Sequence, residues 1–244
     1  MIVFSSPAKR VDKMSGEKEV SRVKVATETI KESYGKISKF YAAVEGIAEK
    51  GLRKKGLKLL AVQEGEMVLE IGFGTGFTLC ELAKSVGETG KVYGIDVTPQ
   101  MVEITRKRLE KEALIDRAEI YEEDARNMPF DDNLFDAVYT ASTLELFDAP
   151  EIAKVLKEIK RVLKPGGRLG VVSISKEGQE NSFFLRFYEW LHKKIPKYVN
   201  CRPIYLEDSI REAGYKIVKA EEFMLAKLMP ERIVVAKPQK ADLR

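Results

Sequence analysis

The chain has 244 residues, 44% of them hydrophobic and 33% charged, with a formal net charge of +4. That length suits one substantial core, and so mild a charge excess is not the concentrated basic face of a dedicated nucleic-acid binder. Two distant cysteines (Cys80 and Cys201) and one histidine cannot build a Cys/His zinc cage, and no run reaches the roughly 18 apolar residues of a membrane span. A cytoplasmic protein with free thiols and no metal site is expected, one that meets a membrane only at its surface.

Residues 1–20 are polar and unpatterned, which predicts a frayed terminus. From Val23 to about Leu60 apolar side chains recur at three- and four-residue steps, through Ile30, Tyr34, Ile37, Tyr41, Val44, Ile47 and Ala48. This is a helical period, and Gly51 and Gly56 predict breaks that divide it into two or three short helices. A strand from Met67 then runs into Gly72-Phe73-Gly74-Thr75-Gly76, and a helical pattern follows at once through Phe77, Leu79, Leu82, Ala83 and Val86. A buried strand that turns sharply into a helix has this form, and glycine lets a ligand lie against the backbone.

The turn Gly87-Glu88-Thr89-Gly90 leads to a second strand at 91–96 that ends on Asp96, twenty residues beyond Gly76. An acidic residue at that position holds a ribose diol in nucleotide-binding α/β folds. Thr98-Pro99 reads as N-cap and first helical residue, with a helix to about Glu112. Strands are predicted at 118–122 and 136–140, and a helix from about Pro150 to Val162. Lys164-Pro165-Gly166-Gly167 then predicts a break before a fifth strand, Arg168 to Ile174. Residues 182–192 form an amphipathic helix with a wide aromatic arc, which either packs into the core or caps a substrate pocket. Segments 216–224 and 231–237 predict a final antiparallel edge pair. Strands alternating with helices imply an α/β fold, a mostly parallel sheet with helices on both faces.

Four segments carry a family resemblance: VLEIGFGTG at 68–76, VYGIDVTPQM at 92–101, EDARNMPFDDNLFDAVYT at 123–140 and RVLKPGGRLGVVSI at 161–174. In order and spacing they resemble the class I S-adenosylmethionine-dependent methyltransferases, most closely the ubiquinone/menaquinone-biosynthesis-like branch, over about Tyr34 to Lys237. The glycines read GxGxG, and Phe77 stands where a dinucleotide fold wants its third glycine, which counts against NAD. The resemblance implies a Rossmann-like seven-stranded sheet with an antiparallel C-terminal edge strand. It also implies one domain, made of an N-terminal helical lid (1–62), a cofactor core (63–175), a substrate cap (176–204) and a C-terminal helix and strand pair (205–238).

The cofactor implied is S-adenosylmethionine, with S-adenosylhomocysteine as product. Gly72, Gly74 and Gly76 would lie along its methionine and ribose parts, and Glu70 would support the loop or reach the amino group. Asp96 would take the ribose hydroxyls, and Val97 and Met101 would flank the adenine. Asp124 and the Ala125 N–H would meet the adenine edge, Thr140, Ala141 and Ser142 would border the methyl, and Tyr34 and Tyr41 would close over the cofactor. Methyl transfer needs little beyond alignment, and a base only where the acceptor loses a proton; His192 and Glu145 are the candidates. Thr140 to Phe147 lacks the (N/D/S)PP(Y/F) motif of nucleic-acid methylating relatives, so no nucleic-acid partner is expected. A demethylmenaquinone-like quinol leads as the apolar or amphipathic small-molecule acceptor. Alternatives are a phospholipid amine, or a binding protein that regulates without transferring a methyl group. The stretch 198–204 fits no quinone-enzyme pattern.

Overall fold

The computed structural model describes residues 50–195, 201–225 and 229–239. In chain order the elements are α1 (Lys50–Leu60), β1 (Met67–Ile71), α2 (Phe77–Ser85), β2 (Lys91–Asp96), α3 (Pro99–Lys111), β3 (Ala118–Glu122), β4 (Phe135–Ala141), α4 (Ala149–Val162), β5 (Leu163–Ile174), α5 (Phe183–Lys194), α6 (Leu206–Glu212), β6 (Tyr215–Leu225) and β7 (Met229–Pro238). Short 3-10 turns stand at Ile115–Arg117 and Leu144–Leu146.

The strands form one seven-stranded sheet in the order β3-β2-β1-β4-β5-β7-β6. The pairs from β3 to β5 are parallel, while β7 runs antiparallel to both β5 and β6. The chain starts at β1, winds outward through β2 and β3, then crosses to β4 on the other side. That reversal makes the ends of β1 and β4 a topological switch point, where open α/β sheets keep their ligand crevice.

Strand side chains alternate between faces, and the core divides accordingly. Leu69, Val138, Val171 and Val234 join the buried cluster beneath α4 and α6, while Val68, Tyr139, Val172 and Ile233 join the one beneath α1, α2 and α3. Both faces are therefore dry, which is why the central strands read as near-continuous apolar runs. The C-terminal end of α1 is clamped to β5 by Arg168, which donates to the carbonyls of Leu60 (2.6 Å) and Ala61 (2.9 Å) and forks onto Glu66 at 2.8 and 2.7 Å. A cation there satisfies carbonyls that the helix leaves open.

Three expectations change. Gly51 and Gly56 do not break the helix but lie inside α1. At Gly56 a Cβ would sit 2.5 Å from the Tyr139 hydroxyl, so the glycine lets the helix approach the sheet. β5 starts at Leu163, before the Lys-Pro-Gly-Gly segment: Phe135 pairs with Leu163 and Ala137 with Arg168, so the extra residues form an irregularity in the ladder. The aromatic arc of α5 is divided, because Leu185 and His192 are buried while Phe183, Phe187 and Trp190 are exposed. Most of the predicted lid, with Tyr34 and Tyr41, lies outside the described residues.

Candidate active site

The turn after β1 is held from several sides. Gly72, Gly74 and Gly76 have φ of 70°, 51° and 78°, in the left-handed region that costs other residues energy. A Cβ on Gly72 would lie 2.3 Å from Thr143 Oγ1, and one on Gly76 would lie 2.5 Å from Thr105 Cγ2. Between them Phe73 turns into the core over Gly94, where a Cβ would meet its ring at 2.7 Å. Two side chains one turn apart on α3 fix the loop carbonyls: the Thr105 hydroxyl donates to Gly74 O at 2.9 Å and Arg108 Nε to Thr75 O at 2.7 Å. The Arg108 guanidinium also covers the Phe77 ring at 3.4 Å, so Phe77 helps to seat the residue that holds the loop.

Asp96 closes this arrangement at the tip of β2. Its carboxylate accepts from Gly74 N–H at 3.0 Å and from Thr98 N–H at 2.9 Å, one amide hydrogen bond on each oxygen. Thr98 precedes Pro99 at the start of α3 as expected, but its hydroxyl serves Asp96 rather than capping the helix. Burial raises the Asp96 pKa above the ordinary aspartate value, against the opposing pull of the Thr98 and Gly74 amides. A carboxylate oxygen has two lone pairs, so these bonds leave acceptor capacity for a ribose diol. The tight glycine turn and this acceptor beside it fit a nucleoside carrying a flexible polar tail.

Asp124, after β3, is engaged by Arg126, which donates through Nε at 3.0 Å and through a terminal nitrogen at 2.6 Å. Arg126 also bonds Glu151, the residue that completes the capping box of α4 with Asp148. The predicted adenine contact is thus already part of a network joining the end of β3 to the start of α4. Val97 is half-buried; Met101 and Ala125 are buried and join the apolar clusters on opposite faces of the sheet. Glu70 is 3% exposed near the end of β1.

At the end of β4, Thr140 is fully buried and its hydroxyl has no hydrogen-bond partner among the described residues, while Ser142, just past the strand, adopts φ 51°. Thr143 Oγ1 then donates to Ala141 O at 2.9 Å, which holds the β4 exit against Gly72.

A second polar group lies beyond this exit. Glu145 is fully buried and accepts from the Ser173 hydroxyl at 2.7 Å, near the end of β5. Tyr188 on α5 has its pKa raised by burial and then by the negative fields of Cys201, Glu145 and Glu231, which places these groups around it. His192, one helical turn further along, is 1% exposed. Arg202 is buried too; its guanidinium bonds the Phe147 carbonyl, and burial lowers its pKa against the fields of Asp148, Glu145 and Glu189. The excursion that brings α5 and Arg202 here is closed at its neck, where Ile204 bridges Ser175 and bonds the backbones of Ile174 and Lys176 at 3.1 and 3.0 Å.

The structure therefore gathers Gly72, Gly74, Gly76, Asp96, Val97, Thr140, Ala141 and Ser142 at adjacent strand ends. Glu145 and His192 fall in the neighbouring buried group around Tyr188. Sequence reasoning missed Thr105, Arg108, Thr143, Ser173 and Arg202. The spacing of Thr105 and Arg108, one turn apart on the helix after Asp96, was the available signal for two of them. Arg202 lies in the 198–204 stretch that matched no pattern.

Comparison with known proteins shows the family. Residues 68–167 match the family model described as a methyltransferase domain. Demethylmenaquinone methyltransferase from Lactococcus lactis subsp. lactis is 31% identical over 226 residues, covering 83% of this chain and 88% of the relative. The protein of the same name from Staphylococcus aureus strain JH9 is 30% identical over 82% of this chain and 90% of its own. A SAM-dependent methyltransferase structure from Aquifex aeolicus matches with a TM-score of 0.57 at 28% identity, covering 75% of this chain and 88% of that one. The [4+2]-cyclase SpnF matches with a TM-score of 0.73 at 21% identity over 92% of this chain and 100% of that one. That last likeness speaks for the fold alone, since one fold hosts unrelated reactions. The chain belongs to the class I S-adenosylmethionine-dependent methyltransferases, in the branch that includes the demethylmenaquinone methyltransferases.

Proposed function

We propose that this methyltransferase acts from the cytoplasm on a demethylmenaquinone-like quinol and methylates a ring carbon. The observation that carries the reading is the extent of the similarity. The methyltransferase-domain match spans only residues 68–167, whereas the demethylmenaquinone methyltransferases align over 226 residues. The likeness thus reaches beyond the cofactor core into segments that would meet an acceptor.

When bound, S-adenosylmethionine supplies a methyl group on a sulfonium, whose leaving group is neutral. Gly72, Gly74, Gly76 and Glu70 would hold its methionine end, Asp96 its ribose, and Val97, Met101, Asp124 and Ala125 its adenine. Thr140, Ala141 and Ser142 would border the methyl, with Tyr34 and Tyr41 contributed by the lid. The protein's work is then to hold the acceptor in line and keep water away. A quinol attacking through a ring carbon gives up its phenolic proton; the methylated carbon then loses its hydrogen and the oxygen regains a proton, so one proton leaves in all. Glu145, oriented by Ser173, and His192 on the same face of α5 as Tyr188 are the groups assigned to take and return these protons.

The test is turnover. Purified protein, labelled S-adenosylmethionine and a reduced demethylated quinone in detergent should give a product one methyl group heavier. A parallel reaction with phosphatidylethanolamine should give none. Transfer to the phospholipid alone would replace the quinone reading with lipid N-methylation. Tight S-adenosylhomocysteine binding without transfer to either would favour a regulator.

A further inference from the structure

Seven large hydrophobic side chains are conspicuously exposed among the described residues, and four belong to α5 and its C-cap: Phe183 (85%), Phe187 (47%), Trp190 (52%) and Ile195 (44%). On a helix advancing about 100° per residue, the three aromatics fall within about 60° of one another, opposite the buried Leu185 and His192. Phe187 and Trp190 stack with ring centroids 5.9 Å apart, so they present one flat surface rather than separate side chains. Half-buried Phe184 and Tyr188 on one side and exposed aromatics on the other make α5 apolar well beyond what its own packing requires.

The exposed charges of the helix itself have one sign. Arg186, Lys193 and Lys194 are exposed, while the only acid of the helix, Glu189, is tied to Lys176 at 2.5 Å. A second copy would bring the same cations against themselves. No described helix is long and apolar enough to cross a membrane. An aromatic face bordered by cations suits the boundary between anionic headgroups and acyl chains, where lysine and arginine reach the phosphates while the rings enter the apolar layer.

We infer that α5 is a membrane-docking helix, which seats Phe183, Phe187 and Trp190 in the surface of an anionic bilayer. The excursion carrying α5 leaves and rejoins the fold between Ser175 and Ile204, next to the buried group around Glu145. Docking through its outer face therefore sets its inner face, with Tyr188 and His192, between the bilayer and the strand ends. The meaning of this placement rests on the quinone reading, since it would let a lipid-borne acceptor enter without crossing bulk water. The docking itself does not.

Trp190 is the only tryptophan of the chain, so its emission reports on this surface alone. With full-length protein and no acceptor present, phosphatidylglycerol-containing vesicles should shift the emission to the blue and carry the protein with them on flotation. Pure phosphatidylcholine vesicles should do neither, and salt should weaken the association. The double variant Phe183→Ser/Phe187→Ser keeps the reporter and should bind such vesicles at least about tenfold more weakly, with S-adenosylhomocysteine affinity unchanged. The inference is overturned if anionic vesicles leave the emission unshifted, or if the double variant binds them as well as the parent. It also fails if Trp190 is already shielded in vesicle-free buffer, whether by the chain's own N-terminal segment or, in a dilution-dependent way, by a second copy. Turnover of detergent-dispersed quinol tests the acceptor separately, so failure of one reading leaves the other standing.

Discussion

Thr143 occupies the space where Gly72 would carry a side chain: an added Cβ would stand 2.3 Å from its Oγ1. The end of β1 and the exit of β4 are thus fitted to each other across the switch point of the sheet. Gly72→Ala meets two separate penalties, this collision and a φ of 70°. Together they should cost about 2–4 kcal/mol of stability and most of the S-adenosylhomocysteine affinity. Adding Thr143→Ala should recover the collision part only. Thermal melts and binding isotherms of the single and double variants separate the two; complete recovery would show that the backbone angle is unstrained.

Thr105 and Arg108 act on the loop from outside it. Thr105→Val keeps the volume that fills the space beside Gly76 but removes the hydrogen bond to Gly74 O. A loss of about 1 kcal/mol should appear as a several-fold weaker S-adenosylhomocysteine affinity. The melting temperature should fall by only a few degrees. Isothermal titration calorimetry checks this, and an unchanged dissociation constant would mean that the loop keeps its shape without the threonine.

Asp96 supplies a pH dependence whose sign follows from its raised pKa. A carboxylate held above its ordinary value takes up a proton early as pH falls, which relieves the cost of burying the charge. The same proton removes acceptor capacity and should weaken ribose binding. Cofactor affinity is therefore expected to decline on acidification at a higher pH than an ordinary aspartate would produce, while Asp96 itself contributes no acid-induced loss of fold stability. Asp96→Asn should bind about tenfold to a hundredfold more weakly at neutral pH and lack this pH dependence. Binding measured across a pH series decides it, and a variant that keeps the parent profile would assign the titration to another group.

Glu145 and Ser173 share a hydrogen bond away from solvent, so their variants must be read for fold as well as for rate. Glu145→Gln preserves shape and should lower kcat by about a hundredfold or more if the carboxylate moves a proton, with S-adenosylhomocysteine affinity intact. Ser173→Ala should give a smaller decrease of about tenfold, as expected of a residue that positions the carboxylate. Single-turnover kinetics with circular dichroism as a fold control distinguish this from a structural role, for which stability would fall and the rate of the remaining folded protein would not.

The strand-turn-helix at Val68–Phe77, Asp96 twenty residues later and the alternation of strands with helices were legible in the sequence. Each rests on local chemistry: φ beyond the reach of most residues, apolar period, and an acid at a strand end. The sequence could not show Thr143 standing against Gly72, since those residues meet only when β4 is laid beside β1. Nor could it show that Gly56 sits inside a helix, because its reason is the Tyr139 hydroxyl on a strand more than eighty positions away. The α5 aromatics make the same point. Their spacing foretold an amphipathic helix, but a wheel records only relative direction. Which arc faced the fold was decided only in three dimensions, where Leu185 and His192 are buried while Phe183, Phe187 and Trp190 are exposed. Local sequence determined most of the elements and the glycine turn; long-range packing decided which side chains are laid against that turn.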